Sequence, residues 1–536
     1  MRASLLPSLF LVACSHSPSP EAVADAAPHE NATIASTTSE APVAAQILMV
    51  RFSGAGLGEA AAVNAKILNT SVLVDRDKAI NDTFPFLVRC YDAAGNAIFQ
   101  TSRREPLQIR EFLGQIKIGL DPFLTFPELG DLGIAIPKDA AITHVKFFRR
   151  ELDGTETALG QTQLAEVEEI KPLVAKVETL HHGGDPNRAL DIAILGDGYR
   201  ESELPMFAEH AAAVAKEFLA TEPYASFKER LNLHRIDVAS EESGASYDCS
   251  ETVTIEGCAD LRRNTAYGSI FPLRLASLFG MHGLWDVPLF QLDQRRMHQA
   301  AANVPYDAIV VLVNTKKYGG FGVYAASLTA HDPNTPGGVV HEFGHAFGLL
   351  ADEYTNESSP CQRYTLTPDF INMSPLVTNA ADVKWSSWLS PGVPLPTPKD
   401  HAQADAVGLF EGVGGGCKTS FYKPRRYCRM RSWTDKMCPV CAEQTVSRML
   451  DVFDVSVPAD VEVNGNTLRV LAPSNFTRTG AMYIGDARVA GLDEALKLTR
   501  PASPPYETTV RIVTEPTTPW SHRKIEPEVM NVKLTW

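Results

Sequence analysis

The sequence predicts a multidomain protein: an N-terminal β-sandwich, then an α/β domain with a mainly parallel sheet, then a small β-rich C-terminal module. Three observations predict it. At 536 residues the chain is too long to close around one hydrophobic core. Its first third carries short alternating apolar runs between Gly, Asn and Asp turns, the period-2 pattern of strands. Its middle third switches to buried-strand runs separated by amphipathic helical patterns, which predicts a parallel sheet.

Residues 1–14, MRASLLPSLFLVAC, hold one Arg and a short apolar run from Leu5 to Ala13, too short to span a bilayer and suited to an export signal. Leu11-Val12-Ala13-Cys14 also resembles a bacterial lipobox, in which the signal is cut before the cysteine and the cysteine is lipidated. Cys14 is then the expected membrane tether of an outer-membrane or cell-surface lipoprotein; the alternative is a plain secretory signal cut nearby. Residues 15–45, rich in Ser, Ala, Pro, Thr and Glu, read as a flexible linker.

Residues 46–167 carry ILMVRFSG, SVLVD and PFLVRCYDAAGNAIFQ, the strands of the sandwich. Residues 168–188 read as a second linker, and the adjacent His181 and His182 within it as solvated loop residues. The α/β domain is expected over 189–453. ALDIAILGDGY reads as a buried strand ending in a Gly turn, and the stretch after it has apolar residues at 207, 211, 214, 215 and 218, the spacing of an amphipathic helix. LNLHRIDVAS and YDAIVVLVN read as further strands. Residues 454–536 return to β signals, with a hairpin expected around Asn464-Gly465.

A composition of 44% hydrophobic and 21% charged residues is that of an ordinary globular protein. The formal charge of −15 repels polyphosphate and anionic lipid headgroups, so nucleic acid is excluded as an expected partner. Beyond Cys14 there are eight cysteines, at 90, 249, 258, 361, 417, 428, 438 and 441. An even number in an exported chain predicts structural disulfides, including Cys438 and Cys441 of CPVC. A second zinc on Cys438 and Cys441 would need two more thiolates, for which Cys417 and Cys428 are available.

The chemistry concentrates in GGVVHEFGHAFGLLADEYTNE, residues 337–357. Thr335 and Pro336 suit a helix N-cap followed by Pro at the first turn, and the run continues at helical spacing. His341 and His345 then lie about 40° apart around the axis and one turn apart along it, so both imidazoles can reach one ion. Glu342 stands on the neighbouring side, where it could act as general base. Two neutral imidazoles on Zn²⁺ beside a carboxylate is the HExxH arrangement. On a straight helix Asp352 would lie about 16 Å beyond His341, so the chain must turn back for it to serve as third ligand. Gly348 is placed for a left-handed turn that would do this. Glu353 is the competing ligand.

HEFGHAFGLLADEY resembles the signature of the bacterial IgA-peptidase family of zinc metallopeptidases, a metzincin-like group. LDIAILGDGYRESE, FLATEPYASFKERLNLHRIDVASEESG, YDAIVVLVNTKKYGGFG and YCRMRSWTDKMCPVC resemble further segments of that family in the same order, and residues 46–165 resemble its β-rich N-terminal domain. The resemblance implies a metzincin-like catalytic domain, His341, His345 and Asp352 as zinc ligands, and Glu342 as catalytic base. The commonest metzincin pattern has a histidine where Ala351 stands, so Asp352 requires a slightly longer turn. A metzincin-like chain should also place a methionine beneath the zinc; Met430 is the choice, with Met437 the alternative.

The expected function is zinc-dependent hydrolysis of peptide bonds in protein substrates, with Glu342 taking the proton of a zinc-activated water and passing it to the leaving amine. The strand within GGFGVYAASLTA is a candidate edge for an extended substrate. The rival is a non-catalytic surface lipoprotein, an adhesin or binding protein, whose zinc only stabilises the fold. Glu342 argues against it, because a purely structural site has no use for a carboxylate beside an open coordination position.

Overall fold

The computed structural model describes residues 43–53, 61–74, 86–103, 131–150, 154–247, 261–271, 290–291, 293–322, 324–354, 370–413, 417–452, 461–464, 467–471, 476–484, 487–493, 496–499, 507–517 and 528–535. The protein is multidomain, with many β-sheets and few helices: among the described residues there are seven sheets. The expected export signal, Cys14 and most of the first linker lie outside the described residues, as do Cys249, Cys258 and Cys361.

The N-terminal region holds two four-stranded sheets. One contains the long antiparallel pair Val43–Ser53 and Ala61–Val74, and the other is built around Phe86–Tyr91. The first strand opens at Val43, inside the expected linker, because Ala45 is fully buried and belongs to a core. Its run Ile47-Leu48-Met49-Val50 is continuously apolar for a physical reason. Successive side chains point to opposite faces, and both faces are covered. Leu48 and Val50 share a cluster with Phe86, Val88, Val145 and Phe147 of the second sheet. Ile47 and Met49 instead pack with Ala193, Leu195, Met297 and Ala300 of the following domain.

That domain is organised by a six-stranded sheet. Its central strands Ala326–Thr329, Ala308–Val313, Leu190–Asp197 and Leu231–Asp237 are parallel, and it is closed at its two edges by the antiparallel strands Gly320–Gly322 and Lys176–His182. One face meets the N-terminal sheet. The other buries Ile192, Ile194, Val310 and Leu312 against two helices, Leu204–Ala220 and Thr335–Ala346. The first of these buries Phe207, Ala211, Val214, Ala215 and Phe218, the apolar stripe of its sequence. Phe476 of the C-terminal strands enters the same cluster and meets Phe227 edge-on, ring centroids 6.2 Å apart.

The second expected linker, 168–188, is corrected. Glu168–Ile170 pairs in parallel with Ala61–Val74, and Lys176–His182 is the antiparallel edge of the main sheet. An edge strand with little of its surface covered carries few apolar residues, and only Leu180 packs on the core here, so composition alone reads as a loop. His181 sits in this strand and bonds the Lys228 carbonyl through Nε2 at 2.8 Å. In the C-terminal region, Val461–Asn464 and Thr467–Val470 pair antiparallel on either side of the expected turn, whose Gly465 lies outside the described residues.

Candidate metal centre

The Thr335–Ala346 helix begins one residue earlier than its sequence suggests. Asn334 is its N-cap, while Thr335 is already helical and uses its hydroxyl to donate to the Thr329 carbonyl at 2.7 Å. The helix presents His341 and His345 on one face, with the ring centroids 4.7 Å apart and the planes nearly perpendicular. Each imidazole is oriented through Nδ1, which lies 2.9 Å from the Arg429 carbonyl in His341 and 2.8 Å from the Leu350 carbonyl in His345. A carbonyl only accepts, so Nδ1 carries the proton and each Nε2 is left as a lone pair.

The chain turns back after the helix, but not as expected. Gly348 does not take the left-handed conformation; Leu349 does, at φ 58°, and the Leu350 N–H then donates to the Gly344 carbonyl at 3.0 Å. Gly348 is small for another reason: a Cβ there would lie 2.7 Å from the Gly344 carbonyl oxygen. The tight wrap over the helix end needs close approach at 348 and accepts the αL penalty at 349.

This turn brings Asp352 Oδ1 to 3.1 Å from Nε2 of both His341 and His345, and the two Nε2 atoms are themselves 3.1 Å apart. Two ligands held about 2 Å from one zinc at a tetrahedral angle stand roughly 3.3 Å apart, so this donor set fits such an ion. Three lone-pair atoms converging on one point repel unless they share a proton or a cation. The titration behaviour reflects this. Burial opposes the charged forms, but the two imidazoles hold the Asp352 carboxyl well below the ordinary carboxylate range, and Asp352 in turn raises His341 despite that burial.

Glu342 is buried beneath the sheet edge, where a Cβ on Gly320 would fall 2.4 Å from its Oε1. A Cβ on Gly322 would meet the Glu342 carbonyl oxygen at 2.3 Å and His345 Cβ at 2.8 Å. The edge strand and the helix therefore touch through two glycines. Met430, fully buried, lies on the other side of the helix: a Cβ on Gly344 would reach its Sδ at 2.5 Å. Met437 is also buried but accepts from the Thr445 hydroxyl at 3.5 Å instead. Tyr354, which follows the ligand pair in the sequence, is 39% exposed.

Glu353 points away from the histidines. It is fully buried, and its carboxylate accepts from Asn372 Nδ2 and from the Cys441 thiol, both at 3.1 Å. The expected disulfides at CPVC are absent, since Cys428, Cys438 and Cys441 are free thiols, as is Cys90. The Cys-x-x-Cys spacing spans the first turn of the Pro439–Leu450 helix, and it directs both sulfurs toward Cys428 and Glu353 rather than toward each other alone.

Several contributors to the site have no signature in the sequence. The carbonyls of Arg429 and Leu350 are backbone groups. Asn372 is fully buried and grips the chain beside Asp352, accepting from the Ala351 N–H at 2.9 Å and donating to the Ala351 carbonyl at 2.8 Å. The sequence marks a candidate edge strand within GGFGVYAASLTA; the edge itself is Gly320–Gly322, with Ala326–Thr329 one strand further in, and its contact with Glu342 carries no sequence signal.

No curated protein matches the chain. Residues 178–404, which run from the antiparallel edge strand past His341, Glu342, His345 and Asp352 and stop short of Cys428, Met430, Cys438 and Cys441, match the family described as IgA Peptidase M64.

Proposed function

We propose that the protein is an exported zinc-dependent endopeptidase in which His341, His345 and Asp352 hold the metal and Glu342 is the general base. The observation that supports this most is the convergence of His341 Nε2, His345 Nε2 and Asp352 Oδ1 at mutual distances of 3.1 Å beside a buried glutamate. Zinc at this position would supply Lewis acidity, bringing the pKa of a coordinated water down towards about 7. Glu342 accepts the proton of the attacking water and delivers it to the leaving amine. The carbonyls of Arg429 and Leu350 keep both imidazoles in the tautomer that presents Nε2.

The Gly320–Gly322 strand supplies the substrate register. It is the last strand of its sheet among the described residues, it runs directly over Glu342, and an extended peptide adding antiparallel to it would place a backbone carbonyl near the metal position. Met430 forms an apolar floor behind the helix. The lipobox-like Leu11–Cys14 stretch supports export and tethering through an acylated Cys14. An acylated peptide beginning at Cys14 is the expected mass-spectrometric result, and an unmodified mature start elsewhere would exclude the tether.

The test of the reaction is Glu342→Gln. The expected outcome is loss of hydrolysis of mixed protein substrates with zinc content unchanged. Retained hydrolysis would remove Glu342 from the base role, and hydrolysis of ester or glycan substrates but not proteins would refute the peptidase reading.

A further inference from the structure

We propose that Glu353, Cys428, Cys438 and Cys441 form a second metal site, separate from the histidine centre, that takes zinc as a closed four-ligand structural ion. The four residues are buried and each offers one ligand atom, all within 4.8 Å of one another. The three thiols are free, and thiolates with a carboxylate are a donor set that suits zinc. This site does not rest on the peptidase reading.

An observation independent of the cysteines points to a cation. Glu353 Oε1 has two donors, but Oε2 is buried without a hydrogen-bond partner among the described residues. A buried carboxylate oxygen left bare is costly, and a metal ion is what would satisfy it. A disulfide would not: it would consume two sulfurs, leave the third as a thiol and leave Oε2 as it stands. A four-coordinate ion uses all three sulfurs and the carboxylate, releasing the three thiol protons to solvent.

The local geometry suits thiolates. Cys438 is the N-cap of the Pro439–Leu450 helix, where the aligned peptide dipoles favour negative charge, and Cys441 follows within its first turn. The Cys438 N–H also donates to Cys428 Sγ at 3.3 Å.

The site's role follows from its neighbours. Asp352 and Glu353 are consecutive and turn to different sides of one extended segment, Asp352 to the histidines and Glu353 to the cysteines. Cys428 immediately precedes Arg429, whose carbonyl orients His341, and Met430, whose carbonyl accepts from the Glu353 N–H at 2.6 Å and whose sulfur backs Gly344. An ion on Glu353 and the three sulfurs would clamp residues 428–430 to residues 352–353, fixing the floor and one imidazole of the histidine centre from behind.

The experiment is metal analysis of the full chain carrying His341→Ala and His345→Ala, with and without Cys438→Ser and Cys441→Ser. The expected result is about one zinc per chain in the histidine variant, with thiolate-to-cobalt charge-transfer absorption after cobalt exchange, and loss of both when the serines are added. Glu353→Gln, which keeps every sulfur and the side-chain volume, is expected to weaken zinc retention in the histidine variant while circular dichroism is unchanged. Alkylation of the wild type under denaturing, chelating, non-reducing conditions should label all three cysteines. A zinc-free histidine variant, or a peptide map joining any two of Cys428, Cys438 and Cys441 in a disulfide, would overturn the proposal.

Discussion

Two single-methyl substitutions at the sheet edge should separate the fold from the chemistry. In Gly322→Ala the new Cβ would sit 2.3 Å from the Glu342 carbonyl oxygen, where ordinary contact begins at 3.4 Å, and 2.8 Å from His345 Cβ. The first obstacle is helix backbone and the second is held by the packed helix, so neither can rotate away. The strand must instead lift by about 1 Å, and overpacking of this kind costs about 1–3 kcal/mol. In Gly320→Ala the new Cβ would meet Glu342 Oε1 at 2.4 Å and Leu328 Cδ1 at 2.6 Å, the ends of two side chains that can swing aside. Here the fold should lose little, but the carboxylate must shift by about 1 Å, a misplacement that can lower turnover by about 10²-fold. Urea unfolding, zinc content and hydrolysis of a mixed protein substrate, run on both variants, read the two effects apart. Full activity in Gly320→Ala would refute the confinement of a catalytic Glu342 by the edge strand. Unchanged stability in Gly322→Ala would show that helix and edge are not in rigid contact.

Asn372→Ala should destabilise by about 2–4 kcal/mol, because it strips both backbone partners from the buried Ala351, and should weaken zinc binding by about 10–100-fold by loosening Asp352; competition with a chelating dye reads the second effect. Gly344→Ala, whose Cβ would lie 2.5 Å from Met430 Sδ, should cost about 1–3 kcal/mol, and Met430→Ala in the same chain should recover part of it if the two are in contact; additive losses would refute that contact. Burial lowers the His298 imidazole to about 4, whereas the unfolded chain takes up that proton near pH 6.5. Stability is therefore retained above pH 6.5 and lost as the pH falls towards 4, by up to about 2 kcal/mol at pH 5. Urea midpoints at pH 7 and pH 5 should converge in His298→Leu, and an unchanged slope would assign the acid sensitivity elsewhere.

The features legible from residue order alone are local. A four-residue spacing puts two imidazoles on one helix face whatever surrounds the helix, and apolar positions at 207, 211, 214, 215 and 218 define a buried stripe for any partner. The strands of the main sheet were legible for the same reason, as short apolar runs bounded by turns. The Lys176–His182 edge was not, because an edge strand with little burial has the composition of a loop.

Tertiary structure decided what depends on groups distant in sequence or carried by the backbone. Whether Asp352 or Glu353 faces the histidines turns on a left-handed Leu349 and on the grip of Asn372, neither of which has a residue-type signature. The tautomers of His341 and His345 are set by two carbonyls that any residue could supply. Cysteine count and spacing suggested disulfides, yet Cys441 donates to the buried carboxylate of Glu353, with Cys428 and Cys438 offering sulfurs within 4.8 Å, because Glu353 comes near them only after the chain has wrapped over the end of the histidine helix. Spacing along a helix is fixed by 3.6 residues per turn, whereas convergence between segments is fixed only when the whole chain has packed.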